Sequence, residues 1–204
     1  MNMKRITLFL IVLALAATGC KKGVPFTLES DLSAARLDSR TDTLILQSEA
    51  FPEVLFIKAK NGHFSLHDKV ERPVTASLKA VGRTPSTRLL VLEEGDITFE
   101  DGIAVGTKQN DEVAELIRSL QEIARNDDRD AVKDASLEAI RKFVSHHKNE
   151  PAAVIAIMQA RRYADDATIA ELIGMTSKNI QNDGLLHQIT KQQRRNARKR
   201  PAQQ

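Results

Sequence analysis

The hydrophobic pattern of this 204-residue chain changes its period once, near Gly106, and this change divides the fold. From Phe26 to about Val105, short β-rich runs alternate with turn residues, which is typical of an all-β sandwich or barrel. After Gly106, apolar residues recur at helical spacing. The sequence therefore predicts an α+β protein, with an N-terminal antiparallel β-sandwich or barrel-like domain at residues 26–106 and a C-terminal helical region at residues 107–187.

Several short segments carry the strand prediction. Residues 54–57 are continuously apolar, which favours a strand covered on both faces. The dipeptide Asn61-Gly62 predicts a type I′ hairpin because both residues tolerate a positive φ. Residues 63–67 alternate strictly and place Phe64 and Leu66 on the core side. Further strands are predicted at residues 44–46, 74–80, 88–92 and 97–99, with a turn at residues 93–96.

Four helices and a final helical stretch are predicted in the second region. Asn110 is placed to cap the first helix. Pro151 opens the third helix, where its missing N–H costs nothing. Asp165 or Asp166 opens the fourth, and Gly184 separates it from the last stretch. The apolar face of the first helix is formed by Val113, Leu116, Ile117, Leu120 and Ile123, and that of the second by Val132, Ile140, Phe143 and Val144.

The N-terminus has the pattern of an export signal. Lys4 and Arg5 precede an apolar run of 12 residues, 6–17. A helix that spans a bilayer needs roughly 20 apolar residues, so this run is too short for an ordinary membrane anchor. Small residues follow it, as they do before a cleavage site. We expect residues 1–19 to be removed as a signal peptide.

The four residues Ala17-Thr18-Gly19-Cys20 resemble the bacterial lipobox, with Ala17 where leucine is usual. The resemblance implies that signal peptidase II cuts before Cys20 and that this thiol carries a diacylglyceryl group, with residues 20–25 as a lipidated tether. Several acyl chains, at about 0.8 kcal/mol per buried CH₂, hold a protein on a membrane. Lys21 and Lys22 follow instead of aspartate, which favours the outer membrane, facing the periplasm. Alternatively, Cys20 is incidental to an ordinary signal.

The last segment, residues 188–204, differs in composition from the rest. It contains no acidic residue and six basic ones, namely Lys191, Arg194, Arg195, Arg198, Lys199 and Arg200. Residues 20–187 consequently carry a net charge of −5. In an exported protein we expect no nucleic acid as partner. The basic tail can instead contact anionic lipid head groups or an acidic partner protein, or form a disordered, solvated terminus.

Two histidine pairs and one acidic cluster have simpler explanations than a metal site. His63 and His67 lie about 13 Å apart on a strand, too far to share an ion. His146 and His147 point about 100° apart on a helix. The acidic cluster lacks the ligand order of a calcium loop, so we interpret it as solvated turn residues. Its members are Glu93, Glu94, Asp96, Glu100 and Asp101.

Four short motifs, taken in their order and spacing, resemble one known domain of unknown function. They are Asn61-Gly62-His63-Phe64-Ser65-Leu66, Glu71-Arg72-Pro73, Leu90-Val91-Leu92-Glu93-Glu94-Gly95 and Gly106-Thr107-Lys108-Gln109-Asn110-Asp111. That domain is the N-terminal β module of lipoproteins common in Bacteroidetes. There it precedes a helical spacer and a thioredoxin-like domain of the alkyl hydroperoxide reductase and thiol-specific antioxidant type. The resemblance covers residues 24–120, and the helices to about residue 190 resemble the spacer.

The thioredoxin-like domain of that family works through a CxxC pair, which a single cysteine cannot supply. The chain also contains no Walker loop, GxSxG elbow, HExxH helix or dinucleotide fingerprint. We therefore expect no catalytic residue, cofactor or metal, and a lipid-anchored, non-catalytic periplasmic module of the cell envelope that serves binding or scaffolding, for which an envelope protein is one candidate partner. The alternative is an accessory subunit of a thiol-redox system, which receives the thioredoxin-like domain in trans. A third interpretation is a remnant without a present task.

Overall fold

The computed structural model describes residues 23–81 and 86–199. Within these residues lie eight strands, which form two four-stranded sheets. The strands are β1 Val24–Asp31, β2 Thr43–Ser48, β3 Leu55–Lys58, β4 His63–Val70, β5 Val74–Ala80, β6 Thr87–Leu92, β7 Gly95–Glu100 and β8 Ile103–Val105. The first sheet has the order β4-β1-β7-β8 and the second has the order β3-β2-β5-β6.

The strands pair antiparallel except at one place, where β1 and β7 run parallel. The predicted α+β class, with the sheets before the helices, is confirmed. The parallel pair of β1 and β7 is a detail that the sequence did not indicate. The chain leaves the second sheet at the end of β6, and β7 then enters the first sheet beside β1 in the same direction. The parallel pairing of β1 and β7 therefore results from the chain crossing from the second sheet to the first.

The sandwich core is built from side chains that alternate along each strand, as pleated strands require. Leu28, Leu44 and Leu78 are among its fully buried members. Phe64 is also buried and Leu66 packs against the core, as predicted. The two-residue turn at Asn61-Gly62 is confirmed as well. Asn61 and Gly62 have φ angles of 53° and 81°, and Lys60 and His63 exchange two backbone hydrogen bonds of 2.8 and 3.0 Å.

The strands that are covered on both faces are not those that the sequence predicts. Val54 precedes β3 and residues 55–57 lie in it, an edge strand in which Phe56 is 67% exposed. By contrast, five successive residues of β5, from 74 to 78, are buried. The helical half supplies the second layer over β5 and β6, and in the described residues it leaves the outer face of β3 in solvent. Apolar continuity alone could not distinguish these two cases.

The part of the chain that the structure describes contains six helices. They are α1 Lys108–Ile123, α2 Arg129–His146, α3 Ala152–Ala160, α4 Asp166–Gly174, α5 Lys178–Gln181 and α6 Gly184–Lys199. Helix α3 lies at the centre of the helical core and buries seven of its nine residues. The predicted starts are confirmed at Pro151, the N-cap of α3, and at Asp165, whose side chain accepts from Thr168 N at 2.8 Å. None of these described helices has both the length and the apolar composition that crossing a bilayer requires.

The predicted cap of the first helix is wrong, because Asn110 lies inside the first turn of α1 and turns toward β6. Val91 N donates to Asn110 Oδ1 at 2.9 Å, and Asn110 Nδ2 donates to Val91 O at 2.8 Å. Strand β6 is an edge strand, so its outward backbone groups have no neighbouring strand to pair with. The Asn110 amide takes the place of that neighbour and joins the helix to the sheet.

The carboxylate that caps α1 comes from the chain just after β6. Glu93 Oε1 accepts from Thr107 Oγ1 at 2.7 Å and from Gln109 N at 2.6 Å, while Glu93 Oε2 accepts from Gln109 Nε2 at 3.0 Å. A negative charge at a helix N-terminus is favourable because the first N–H groups are unpaired. Glu93 is only 7% exposed, so its interpretation as a solvated turn residue is wrong. The first turn of α1 covers it.

The polar contacts at this junction continue into α3 and are surrounded by apolar packing. Gln109 Oε1 accepts from Ala152 N at 3.2 Å, at the start of α3. A small cluster of buried side chains from β6, α1 and α3 closes the interface. Its members are Val91, Val113, Ala152 and Ile155. The sandwich and the helices are therefore packed against each other through one continuous interface.

Glu93→Gln should lower the free energy of unfolding by about 1–3 kcal/mol. The amide group replaces one acceptor oxygen with a donor that faces other donors, and the charge at the helix N-terminus is lost. Urea denaturation followed by circular dichroism measures the change. The matched control is Glu94→Gln, at the exposed neighbouring position, which should change stability by less than about 0.5 kcal/mol. Equal effects of the two variants would contradict the capping role.

Candidate functional site

A cleft of about 480 Å³ opens between the end of the sandwich and the helices α1 and α3. Binding sites for small molecules commonly have this size and combine apolar walls with a few polar groups. The apolar side of the cleft is formed by Leu89, Ile103, Ile117, Leu120 and Met158. The polar side is formed by Arg36, Arg88, Asp101, Gln121, Gln159, Arg162 and Tyr163.

Arg88 lies at the start of β6 and is held by backbone carbonyls. Its Nε donates to Ala35 O at 2.7 Å, its Nη2 to Arg36 O at 2.6 Å and its Nη1 to Thr87 O at 3.2 Å. No carboxylate of the described residues forms a salt bridge with it. Burial, reinforced by the nearby Arg36 charge, lowers the pKa of the Arg88 guanidinium, although an arginine stays protonated at neutral pH. The cleft thus has a positive charge that is fixed in place and not neutralised by a described residue.

Two turns with left-handed backbone hold the mouth of the cleft together. Arg36 and Asp101 have φ angles of 49° and 52°, and Arg36 Nη2 contacts Asp101 Oδ1 at 3.1 Å. Gly102, with φ of 82°, completes the two-residue turn between β7 and β8. A Cβ atom at Gly102 would lie 3.0 Å from Arg88 Nε. Glycine at this position therefore allows the β7–β8 turn to approach the Arg88 side chain.

The charges of the cleft do not balance. Three arginines and one aspartate line it, which leaves a surplus of two positive charges. Arg162 contributes from the end of α3, across the cleft from Arg88, and is exposed. An anionic group is attracted to such a surface, and Arg presents paired N–H donors to carboxylates and phosphates. The apolar side chains opposite can cover the rest of an amphipathic molecule.

A second cavity, of about 350 Å³, contains a pair of carboxylates where α6 meets β5. Asp183 accepts from Thr75 Oγ1 and, at 2.9 Å, from Leu185 N in the first turn of α6. Glu49 lies beside it and accepts from the backbone N–H of Gly184. Desolvation, and next the Asp183 charge, raise the pKa of Glu49 above its usual value. Because both carboxylates cap α6, their arrangement fixes that helix to the sandwich.

The structure describes only some of the residues of the predicted lipidation site and basic tail. Cys20 and Arg200 lie outside the described residues. The backbone at Lys191, Arg194, Arg195, Arg198 and Lys199 belongs to α6, so the prediction of a disordered terminus is wrong for residues 188–199. Leu186 and Ile189 are buried in the helical core and hold the base of this helix. Glutamine, lysine and arginine, which favour helices, allow it to continue.

The two histidines of each pair contact different residues. His63 is exposed and contacts Glu29 and Asp31, while His67 contacts Thr27 and Ser65. His146 and His147 have different partners, since His146 Nδ1 hydrogen-bonds to Lys142 O at 2.7 Å and His147 Nδ1 to Glu150 at 2.6 Å. Neither pair shares a site.

The cleft arginines were missed by the sequence analysis because they lie far apart in the chain. One signal was available at Arg88, since this charged residue stands directly before four apolar residues of the same strand. Arg36 and Arg162 have no comparable signal. Comparison of the chain with protein-family models, curated proteins and solved structures finds no match. The resemblance to the lipoprotein β module therefore stays a prediction.

Glu49→Gln should remove a pH-dependent loss of stability. A carboxyl whose pKa is raised in the folded state stabilises the fold below its ordinary pKa, near 4.5, and this contribution is lost as the pH rises through the raised value. The variant should match wild type at low pH and exceed it at pH 7, because Gln keeps an acceptor for Gly184 N. Thermal unfolding at pH 4 to 8 measures the difference.

The control for this series is Glu53→Gln, at a nearby exposed position. Its stability should run parallel to wild type over the whole pH range. A Glu49→Gln variant that is less stable than wild type at pH 7 would contradict the effect that we assign to burial and to Asp183.

Proposed function

We propose that this protein is a lipid-anchored, non-catalytic binding module of the periplasmic face of the cell envelope, whose arginine-lined cleft takes an amphipathic anion. The observation that carries the cleft assignment is the Arg88 guanidinium, which is fixed by three backbone carbonyls and lines the cleft without a described carboxylate partner. Arg88 is partly buried, and a charge that is partly withdrawn from water favours an oppositely charged partner, because leaving water is costly. A bound anion supplies that partner.

The second half of the ligand is inferred from the opposite wall. Ile117 and Leu120 of α1 and Met158 of α3 present apolar surface to the same cleft. Covering apolar area contributes about 25 cal/mol per Å², and methionine adapts to irregular shapes. Tyr163 and Gln159 add hydrogen-bonding groups beside the arginines. These features favour a molecule with a carboxylate or phosphate head and an apolar body over a purely polar anion.

The lipobox resemblance at Cys20 supports the location of the module. A lipidated Cys20 would leave only residues 21–23 before β1 begins at Val24. A fully extended chain spans at most about 3.6 Å per residue, so the sandwich would be held close to the membrane surface. The basic residues of α6 are compatible with anionic lipid or with an acidic envelope protein as further partners.

Binding of an amphipathic anion should depend on the arginines of the cleft. We expect the chain to bind decanoate and decyl phosphate, and to bind decanol or decyltrimethylammonium more weakly. Arg162→Gln should weaken binding of the anions at least about fivefold, because it removes a charge-assisted contact. Isothermal titration calorimetry measures the affinities. The matched control is Arg141→Gln, on α2, where Arg141 pairs with Glu171 outside the cleft.

Either of two results would contradict the cleft assignment. The first is equal affinity for the anionic and the cationic decyl compounds. The second is an Arg162→Gln affinity equal to that of wild type when the anions do bind. Circular dichroism of both variants establishes that they are folded before binding is compared.

Cys20→Ala should block lipidation and cleavage. The variant should accumulate as a precursor with the mass of the unprocessed chain, while wild type carries the added mass of its acyl groups. Mass spectrometry of the membrane fraction distinguishes the two. Thr18→Ser, which keeps a small residue before the cleavage site, serves as control and should be processed normally. A Cys20→Ala variant that is cleaved and sorted like wild type would contradict the anchor.

A further inference from the structure

Three potential metal ligands from different parts of the helical half converge near the junction. Glu112 lies in the second turn of α1, His147 follows the end of α2, and Glu150 lies in the turn before α3. One ligand atom from each, two carboxylate oxygens and an imidazole nitrogen, lies within 4.8 Å of the other two. None of these three residues lines the cleft, so the group is not part of the proposed anion site.

The hydrogen bonding within this group is incomplete. His147 Nδ1 contacts Glu150 Oε2 at 2.6 Å and Glu112 Oε2 at 3.7 Å. Glu112 Oε2 is buried and has no hydrogen-bond partner among the described residues. His147 Nδ1 can donate a hydrogen bond to Glu150 Oε2, but Glu112 Oε2 then stays without a hydrogen-bond partner. A buried acceptor without a partner is costly, which points to a cation that satisfies both carboxylates.

The surroundings hold the ligands in place. The Phe143 ring stacks on the imidazole of His147 with a centroid separation of 4.2 Å, and Glu150 N donates to His147 O at 2.9 Å. Lys108 Nζ approaches the other oxygen of Glu150, Oε1, at 3.9 Å and leaves Oε2 to the group. The carbonyl end of α2 carries partial negative charge, which also favours a cation there.

We propose that Glu112, His147 and Glu150 bind a divalent first-row transition metal, with zinc as the representative ion. Imidazole and carboxylate are common zinc ligands at about 2.0–2.2 Å, and such bonds place neighbouring ligands of a tetrahedral site about 3.3 Å apart. The observed separations of 2.6 and 3.7 Å lie on either side of this value. The imidazole disfavours calcium and magnesium, which prefer oxygen ligands. Water completes the coordination.

A metal at this position joins α1 to the turn between α2 and α3. The sequence analysis expected no metal because it compared His147 only with His146, its neighbour in the chain. The other two ligands lie elsewhere in the chain. Glu112 lies on α1, the helix before α2, and Glu150 lies in the turn that follows His147. Zinc binding should therefore stabilise the helical half without any change in the cleft.

The test uses the full chain, stripped with a chelator and titrated with zinc chloride. We expect one zinc per chain, with a rise in the melting temperature, and weaker responses to calcium and magnesium. His147→Gln should lower zinc affinity at least tenfold. The matched controls are His146→Gln and Glu115→Gln, which change the neighbouring histidine and an exposed glutamate of α1 and should bind zinc like wild type. His63→Gln tests for adventitious binding beside Glu29 and Asp31.

Glu112→Gln separates metal binding from a purely structural role. Without metal this variant should be at least as stable as wild type, since it removes the charge of a carboxylate whose Oε2 has no hydrogen-bond partner, yet it should lose most of the stabilisation by zinc. If it is instead less stable without metal, His147 holds a proton between two carboxylates and the proposal is overturned. Zinc affinity that is unchanged in both His147→Gln and Glu112→Gln, or no binding by wild type, overturns it as well.

Discussion

The buried Glu93 carboxylate at the N-terminus of α1 is the interaction on which the arrangement of the two halves depends. It accepts hydrogen bonds from Thr107 and Gln109, while Asn110 pairs with both backbone groups of Val91. The first turn of α1 thus completes the edge of a sheet, and the same sheet supplies the cap of the helix. Because each half satisfies polar groups of the other, neither surface is complete alone.

The cleft and the carboxylate–histidine group both follow from this junction. Helix α1 provides Ile117 and Leu120 to the cleft and Glu112 to the group of three ligands. Its position is fixed by the contacts with Glu93 and Val91. The unpaired polar groups of the described residues are informative in the same way, since proteins depart from full pairing mainly where function requires it. Glu112 Oε2 is such a departure. The Arg88 side chain differs, since its N–H groups donate to three backbone carbonyls and only its charge has no described carboxylate partner.

Local patterns in the sequence predict much of the fold. Short β-rich runs located six of the eight described strands but not β1 or β8. Asn61-Gly62 located a turn, and Asp165 located a helix start. The errors concern residues whose role is decided by distant contacts. Glu93 follows a strand in a turn-like acidic segment, and only the packing of α1 over it makes it buried. Residues 54–57 and β5 are both apolar runs, and only the position of the helices decides which of them is covered on both faces. The cleft was not predictable, because its arginines come from three separate segments. The role of Cys20 stays a prediction.

The central claim is that the sandwich and the helical half form one folding unit through the Glu93 and Asn110 junction. Differential scanning calorimetry of the chain from residue 20 onward tests it most directly. A single transition whose calorimetric enthalpy equals its van't Hoff enthalpy is the predicted result, since two halves that complete each other must unfold together. Two resolved transitions, or a calorimetric enthalpy well above the van't Hoff value, would show that the halves melt independently and would contradict the account.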